Sequence, residues 1–110
     1  MRVVWTPEAI ARLDDIEAHI ALDADTAAKE TIARLLARTR QLETAALSGR
    51  AVPDYQREDI RELFERPYRI IYCFTPERVT ILTVMHYRQL LPRKAEMVDL
   101  ARQAVQDQDV

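Results

Sequence analysis

The stretch IRELFERPYRIIYCFTPERVTILTVMH, residues 60–86, decides the fold of this chain. It contains three runs that are rich in β-branched and aromatic residues, at 60–64, 68–74 and 79–85. Two short segments that each contain a proline, 65–67 and 75–78, separate these runs. Proline is typical of the second position of a turn. The stretch therefore predicts three consecutive antiparallel strands.

Upstream of these strands the pattern predicts one further strand and two helices. Arg2–Trp5 has the composition of a short strand. Thr6, Pro7 and Glu8 then supply a hydroxyl cap, a proline in the first turn and an early acid, which together indicate a helix start. Apolar residues recur at helical spacing from there to about Leu47, with one break near residues 23–26. The predicted fold is α+β in the order βααβββ, with a helical hairpin packed on one face of a small, mainly antiparallel sheet.

The length of 110 residues allows one hydrophobic core and no second lobe. Residues 1–92 are predicted to form one domain. Beyond Pro92, apolar residues at helical spacing predict a C-terminal helix, so that residues 93–110 form a helix and tail of the same domain.

A tight turn at residues 75–78 would fix the register of the last two strands. The predicted pairs are Phe74–Val79, Tyr72–Ile81, Ile70–Thr83 and Tyr68–Met85. Because directly opposed residues share a face, these eight side chains are expected to meet the helices. The opposite face would then carry Arg69, Ile71, Cys73, Leu82, Val84 and His86, and a symmetric turn before Pro67 would add Arg61 and Leu63 to it. Two arginines and a histidine would thus converge on one half-apolar surface, with Arg88 just beyond it.

Charge is distributed unevenly along the chain, whose formal net charge is −2. Residues 1–48 carry −2, residues 49–94 carry +3 and residues 95–110 carry −3. The positive middle segment could face a phosphate backbone or an acidic partner, or could be a solvated surface. On the last interpretation Arg61 and Arg69 would simply pair with Glu62 or Glu65.

Several kinds of site are excluded by residues that the sequence lacks. The single glycine, Gly49, cannot build a phosphate-binding loop, although it lies where a helix C-cap favours a left-handed residue. His19 and His86 lie on different elements without cysteine partners, so neither a metal nor a cofactor is expected. Cys73 is the only cysteine, and the sequence has neither a membrane-length apolar segment nor an export signal. We therefore expect a cytoplasmic protein.

Four segments resemble ParE-type members of the RelE/ParE superfamily of toxins. They are VVWTPEAIARLDDIEAHI at 3–20, GRAVPDY at 49–55, IRELFERPYRIIY at 60–72 and VTILTVMHYRQLLP at 79–92. The resemblance covers roughly residues 2–92, in the family's order of elements. It implies a compact bacterial toxin that a cognate, ParD-like antitoxin neutralises in a hetero-oligomer, through helical and extended contacts.

The family includes toxins that poison DNA gyrase and toxins that cut mRNA on the ribosome. The ribosome-dependent members are usually strongly basic and carry lysines or a glutamate on the sheet. This chain has a sequence pI of about 5.7 and no lysine between residues 30 and 93. A gyrase poison is therefore favoured, and a ribosome-dependent endoribonuclease is the alternative.

An endoribonuclease would need a base for the 2′-hydroxyl, an acid for the leaving oxygen and a cation for the phosphate. In that case His86 would move a proton, and Arg61, Arg69 and Arg88 would hold the phosphate. Tyr87 would point away from them unless the strand ends at this position. Because no lysine or clearly placed carboxylate completes the set, we expect this chain to bind its target rather than cleave it.

The apolar stripes of the helices and the half-apolar second sheet face predict an interface, because together they exceed what a small monomer can hide. We expect an antitoxin helix to lie in a groove of the helical hairpin. The candidate contact residues are Ile10, Leu13, Leu35, Leu63, Ile71 and Leu82.

Overall fold

The computed structural model describes residues 1–106 and has an α+β fold, as predicted. The strands are β1 (Arg2–Trp5), β2 (Arg50–Ala51), β3 (Ile60–Glu65), β4 (Tyr68–Phe74) and β5 (Arg78–His86). The helices are α1 (Pro7–Ala21), α2 (Asp25–Arg40) and α3 (Lys94–Gln106), and 3-10 turns lie at Gln41–Glu43 and Pro53–Tyr55. The predicted order of elements is confirmed, with β2 as an additional short strand.

The five strands form one sheet in the order β1-β5-β4-β3-β2. Strand β1 lies parallel to β5, and the other neighbouring strands are antiparallel. The sheet is therefore mainly antiparallel. Strands β3, β4 and β5, which come from residues 60–86, occupy its centre.

A β-bulge near the middle of β5 changes the register of the central hairpin. Between the turn and the bulge the observed pairs are Phe74–Val79 and Tyr72–Ile81, as predicted. On the other side of the bulge they are Ile71–Thr83, Ile70–Val84 and Tyr68–His86. The predicted pairs Ile70–Thr83 and Tyr68–Met85 are therefore wrong. Leu82 is the extra residue, and one extra residue moves every following side chain to the opposite face of the sheet.

The helical hairpin of α1 and α2 covers one face of the sheet. Thr6 begins α1: its hydroxyl accepts a hydrogen bond from the Ala9 N–H at 3.0 Å and donates one to the Leu82 carbonyl at 3.0 Å. These bonds tie the start of the helix to the sheet. The buried residues of this first core are Ala9, Leu35, Leu42, Leu63, Ile70, Tyr72, Val79, Ile81 and Val84.

The opposite face of the sheet is covered by α3 and the segment around Tyr55. The expectation that this face is open is therefore wrong. The turns of α3 present small and flexible apolar side chains to the sheet, which lets the helix pack closely. The buried residues of this second core are Val52, Tyr55, Ile60, Ile71, Cys73, Leu82, Met85, Met97, Ala101 and Ala104.

The connection from α2 to the sheet is fixed by a buried tyrosine. Helix α2 ends at Arg40, before the expected end near Leu47. The Tyr72 hydroxyl donates to the Ala46 carbonyl at 2.6 Å and accepts from the Gly49 N–H at 3.0 Å. This hydroxyl therefore satisfies two backbone groups of a segment that has no regular structure of its own.

Candidate functional site

The predicted cluster of Arg61, Arg69 and His86 on one sheet face is not assembled. His86 lies on the helical-hairpin face. The bulge places it opposite Tyr68, whose side chain packs on that face. Arg61 pairs with Tyr72 and Leu63 with Ile70, so both are also on the hairpin face, and their predicted face is wrong. Arg69 lies on the opposite face.

Arg61 is moreover far from His86 along the sheet. Its partner Tyr72 lies four residues along β4 from Tyr68, the partner of His86, which corresponds to about 13 Å. The Arg61 guanidinium donates to the Gly49 carbonyl at 2.9 Å and to the Glu58 carbonyl at 3.0 Å. Arg61 therefore holds a loop in place and does not share a site with His86.

The other candidate residues do gather at the carboxyl end of β5, around Tyr87. The Tyr87 ring stacks on the His86 ring with centroids 4.9 Å apart, and the Arg88 guanidinium lies 5.5 Å from the Tyr87 ring centroid. Arg69 donates to the Tyr87 carbonyl at 3.0 Å. Tyr87 reaches His86 because β5 ends at His86, so strand alternation no longer applies.

His86 lines a groove of about 270 Å³ between the end of β5 and α1. Its Nδ1 accepts a hydrogen bond from the Arg88 N–H at 3.1 Å, so in the neutral ring the proton is on Nε2. The Tyr68 ring lies edge-on at 5.7 Å between centroids. The groove also contains Arg12 and His19 of α1, which the sequence analysis did not associate with His86.

A buried carboxylate, Glu62, is the charged residue that the sequence analysis did not single out. Its side chain is 1% exposed and lies 3.4 Å from an Arg69 nitrogen and 3.3 Å from an Arg50 nitrogen. Its Oε2 atom and the Arg69 Nε atom have no hydrogen-bond partner among the described residues. Strand alternation could have identified Glu62, since it shares a sheet face with the buried Ile60. A buried carboxylate requires cationic partners.

Glu62 and His86 lie on opposite faces of the sheet. Glu62 is on the α3 face with Arg69, and His86 is on the hairpin face with Tyr68. A carboxylate and an imidazole that are separated by the sheet cannot act on the same phosphate unless the end of the strand rearranges.

The predicted antitoxin contacts are mostly inside the isolated chain. Leu35 and Leu63 belong to the first core, and Ile71 and Leu82 to the second. Ile10 on α1 is 48% exposed, and Leu13 is half-buried against the first core. Exposed apolar side chains that the prediction did not include are Met1, Leu22, Leu47, Phe64, Tyr87 and Leu90.

A second cavity, of about 400 Å³, lies between α3 and the sheet, beside the β4–β5 turn. The Arg57–Asp59 ion pair, with nitrogen and oxygen 2.7 Å apart, lines it together with Cys73 and Arg102. Burial raises the pKa of the Cys73 thiol to about 11, so the thiol is protonated near neutral pH. Cys73 is therefore a packing residue.

Neither a metal-ligand cluster nor a membrane helix occurs within residues 1–106. No three histidine, cysteine, aspartate or glutamate side chains of this part of the chain come together as metal ligands. None of its helices is both long enough and apolar enough to cross a membrane.

Comparisons with known proteins agree with one another. The family model described as the ParE toxin of the type II toxin–antitoxin system parDE matches residues 3–91. A protein of Sinorhizobium fredii (strain NBRC 101917 / NGR234) named "Putative toxin Y4kP" is 37% identical over 94 residues, which cover 84% of this chain and 94% of that protein. A solved structure titled as the chromosomal ParDE TA system from P. aeruginosa matches with a TM-score of 0.66 and 25% identity, over 78% of this chain and 95% of that one.

Proposed function

Because the chain belongs to the family of ParE toxins of type II toxin–antitoxin systems, we propose that it poisons DNA gyrase when it is free of antitoxin. A cognate, ParD-like antitoxin would neutralise it in a hetero-oligomer. The family match covers both helices of the hairpin, strands β2 to β5 and all of β1 except Arg2. A cytoplasmic location follows from this target and is part of the proposal.

The observation that carries this proposal is the separation of the acid–base groups. RNA cleavage requires a base, an acid and a phosphate-binding cation around one phosphodiester. His86 lines a groove with α1 on one face, while Glu62 is buried beside two arginines on the other. Such an arrangement favours a toxin that binds its target over one that cleaves a substrate.

The loop after β5 offers anchors for such binding. Tyr87 is exposed, Leu90 is 94% exposed, and Arg88 lies against the Tyr87 ring. Aromatic and arginine side chains are enriched among the residues that dominate binding energy in interfaces. We propose that this loop contributes to the contact with gyrase.

The experiment that tests the proposal uses the purified chain with purified gyrase, ATP and relaxed plasmid. We expect the chain to inhibit supercoiling and to increase the amount of cleaved plasmid, and we expect added antitoxin to reverse both effects. Full gyrase activity at a large molar excess of toxin over gyrase would contradict the proposal.

A second candidate function is ribosome-dependent mRNA cleavage, and one specific observation keeps it in consideration. His86, Tyr87 and Arg88 contact one another at the end of β5, and Arg69 reaches the Tyr87 carbonyl from the other face of the sheet. This group contains a proton carrier and two cations. Mapping of mRNA 5′ ends after induction distinguishes the functions, because cuts in phase with codons are expected only for the endoribonuclease.

A further inference from the structure

Four arginines flank the end of β3 at the half-exposed Phe64, two beside its ring and two from α2 beside its backbone. The ring is 38% exposed, and the guanidinium carbons of Arg50 and Arg69 lie 5.8 and 5.7 Å from its centroid. Arg38 donates to the Phe64 carbonyl at 3.3 Å, and Arg34 lines the same surface depression as Arg38 and Phe64. We call these five residues the arginine–phenylalanine patch.

Buried Glu62 holds two of these arginines in place. It lies 3.3 Å from Arg50 and 3.4 Å from Arg69, and Arg69 is also fixed through the Tyr87 carbonyl. A buried carboxylate requires such partners, so Glu62 favours the position of both guanidiniums beside Phe64 in the free chain. Four arginines stand against Glu62 and the nearby Glu65, which leaves the patch with a net positive charge.

The patch borders an uncovered strand edge. Strand β2 contributes only Arg50 and Ala51, which pair with Glu62 and Arg61. Beyond Glu62 the outer edge of β3 has no neighbouring strand within residues 1–106. An uncovered edge can accept an extended peptide through backbone hydrogen bonds, although the Phe64 carbonyl on this edge already accepts from Arg38.

The chemistry of the patch fits a peptide better than a nucleic acid. Two guanidiniums already lie over the Phe64 ring, so its faces are not free to stack on a base as single-strand binding requires. Arginine and an exposed aromatic side chain are typical anchors of protein interfaces. The positive charge of the patch requires carboxylates on the partner.

We propose that the arginine–phenylalanine patch is the docking surface for an acidic, extended segment of the antitoxin. This inference rests on the proposed function, since that function supplies the partner, and it names the surface and the chemistry of the segment. The segment lies along the outer edge of β3, with carboxylates toward Arg38 and Arg50.

The test measures, by calorimetry, the affinity of the full chain for the product of the gene next to its own. The variants are Arg38→Glu and Arg50→Glu. The control is Arg102→Glu, because the Arg50 and Arg102 side chains are both 63% exposed and both ion-paired. We expect each patch variant to bind at least about tenfold more weakly than wild type, and the control to bind within about threefold. Arg38 does not contact Glu62, so its variant reports on the patch even if Arg50→Glu disturbs the fold.

Equal affinities of wild type and both patch variants would overturn the inference and leave the toxin assignment intact. Failure of wild type to bind that product would instead overturn the proposed partner, and this inference with it. The same proteins are also titrated with a 20-nucleotide single-stranded DNA and a 20-base-pair duplex. Tight DNA binding that the patch variants lose, together with unchanged antitoxin binding, would show that the patch is a nucleic-acid site and overturn the inference.

Discussion

Glycine is required at position 49 because two neighbouring groups lie too close for a side chain, and not because of its backbone angle. The sequence suggested a left-handed helix cap, but Gly49 does not have a positive φ. A Cβ atom at this position would lie 2.6 Å from the Glu62 carbonyl oxygen and 2.6 Å from the Tyr72 hydroxyl. Such overpacking typically costs about 1–3 kcal/mol. We expect Gly49→Ala to lower the free energy of unfolding by that amount in urea titrations.

The neighbouring exposed Ser48 provides the control for this substitution. Ser48→Ala should change stability by less than about 0.5 kcal/mol, as is usual at the surface. If Gly49→Ala were as stable as Ser48→Ala, the Tyr72 hydroxyl would not be held between Ala46 and Gly49 as described.

His86 is the residue that distinguishes binding from cleavage. In a gyrase poison its loss removes one contact from a large surface, so we expect His86→Ala to retain most of its toxicity. In an endoribonuclease the loss of one positioned proton carrier would cost about a hundredfold or more in rate. The measurement is growth arrest after induction, with His19→Ala as the control because His19 lines the same groove.

At the scale of elements, α3 determines how much of the sheet is accessible. Met97 is the large side chain through which this helix reaches the second core, and it is completely buried. Truncation of a buried methionine to alanine typically costs 2–5 kcal/mol. We expect Met97→Ala to lower the free energy of unfolding by about that amount and to increase binding of a hydrophobic dye. Gln103→Ala, an exposed position on the same helix, should do neither.

The 3-10 turn Pro53–Tyr55 links α3 to the sheet and makes stability depend on pH. Burial, with a contribution from the charge of Asp54, raises the pKa of Tyr55 from 10.0 to about 12. The folded state therefore holds the phenol proton more tightly than the unfolded state. We therefore expect the free energy of unfolding to be unaffected by Tyr55 below pH 10. It should fall by on the order of 2 kcal/mol as the pH rises from 10 to 12.

Urea titrations across this range test the effect in wild type and Tyr55→Phe. We expect the stability of the variant to fall less steeply with pH, although it loses the hydrogen bond from the tyrosine hydroxyl to the Pro92 carbonyl at 2.8 Å. Buried Cys73 and Tyr72 also have raised pKa values, so some loss remains in both proteins. Identical slopes would mean that Tyr55 titrates alike in both states.

The sequence predicted the elements well because periodicity and turn residues are local signals. Strand β4 has the predicted bounds, and the pairing next to its turn is correct. The bulge at Leu82 has no comparable signal, because Thr, Ile, Leu and Val are acceptable on either face. That one residue moved Val84 and His86 to the other face. The turn between β3 and β4 pairs Glu65 with Tyr68 and so places Arg61 and Leu63 on the hairpin face as well, which separates both from Arg69. The packing of α3 on the second face is a long-range contact, which a local pattern does not specify.

On the scale of the whole molecule, neither face of the sheet is open to a partner. Both are filled by cores of the chain itself, so a partner meets the helices' outer surfaces, the strand edges and the loops. The positive net charge of residues 49–94 gathers in part around Phe64, whereas the hairpin segment has a net negative charge. If the antitoxin segment is acidic as proposed, this positive charge favours its approach to the arginine–phenylalanine patch.

The central claim is that this ParE toxin acts by binding gyrase and not by cleaving RNA. The most direct measurement is a supercoiling assay with relaxed plasmid and purified gyrase, run beside a translation mixture that contains labelled mRNA. We expect the chain to inhibit supercoiling and to cause cleaved plasmid to accumulate, and we expect the antitoxin to reverse both effects. The mRNA should remain intact. Unimpaired supercoiling together with codon-phased cuts in the mRNA would contradict the claim.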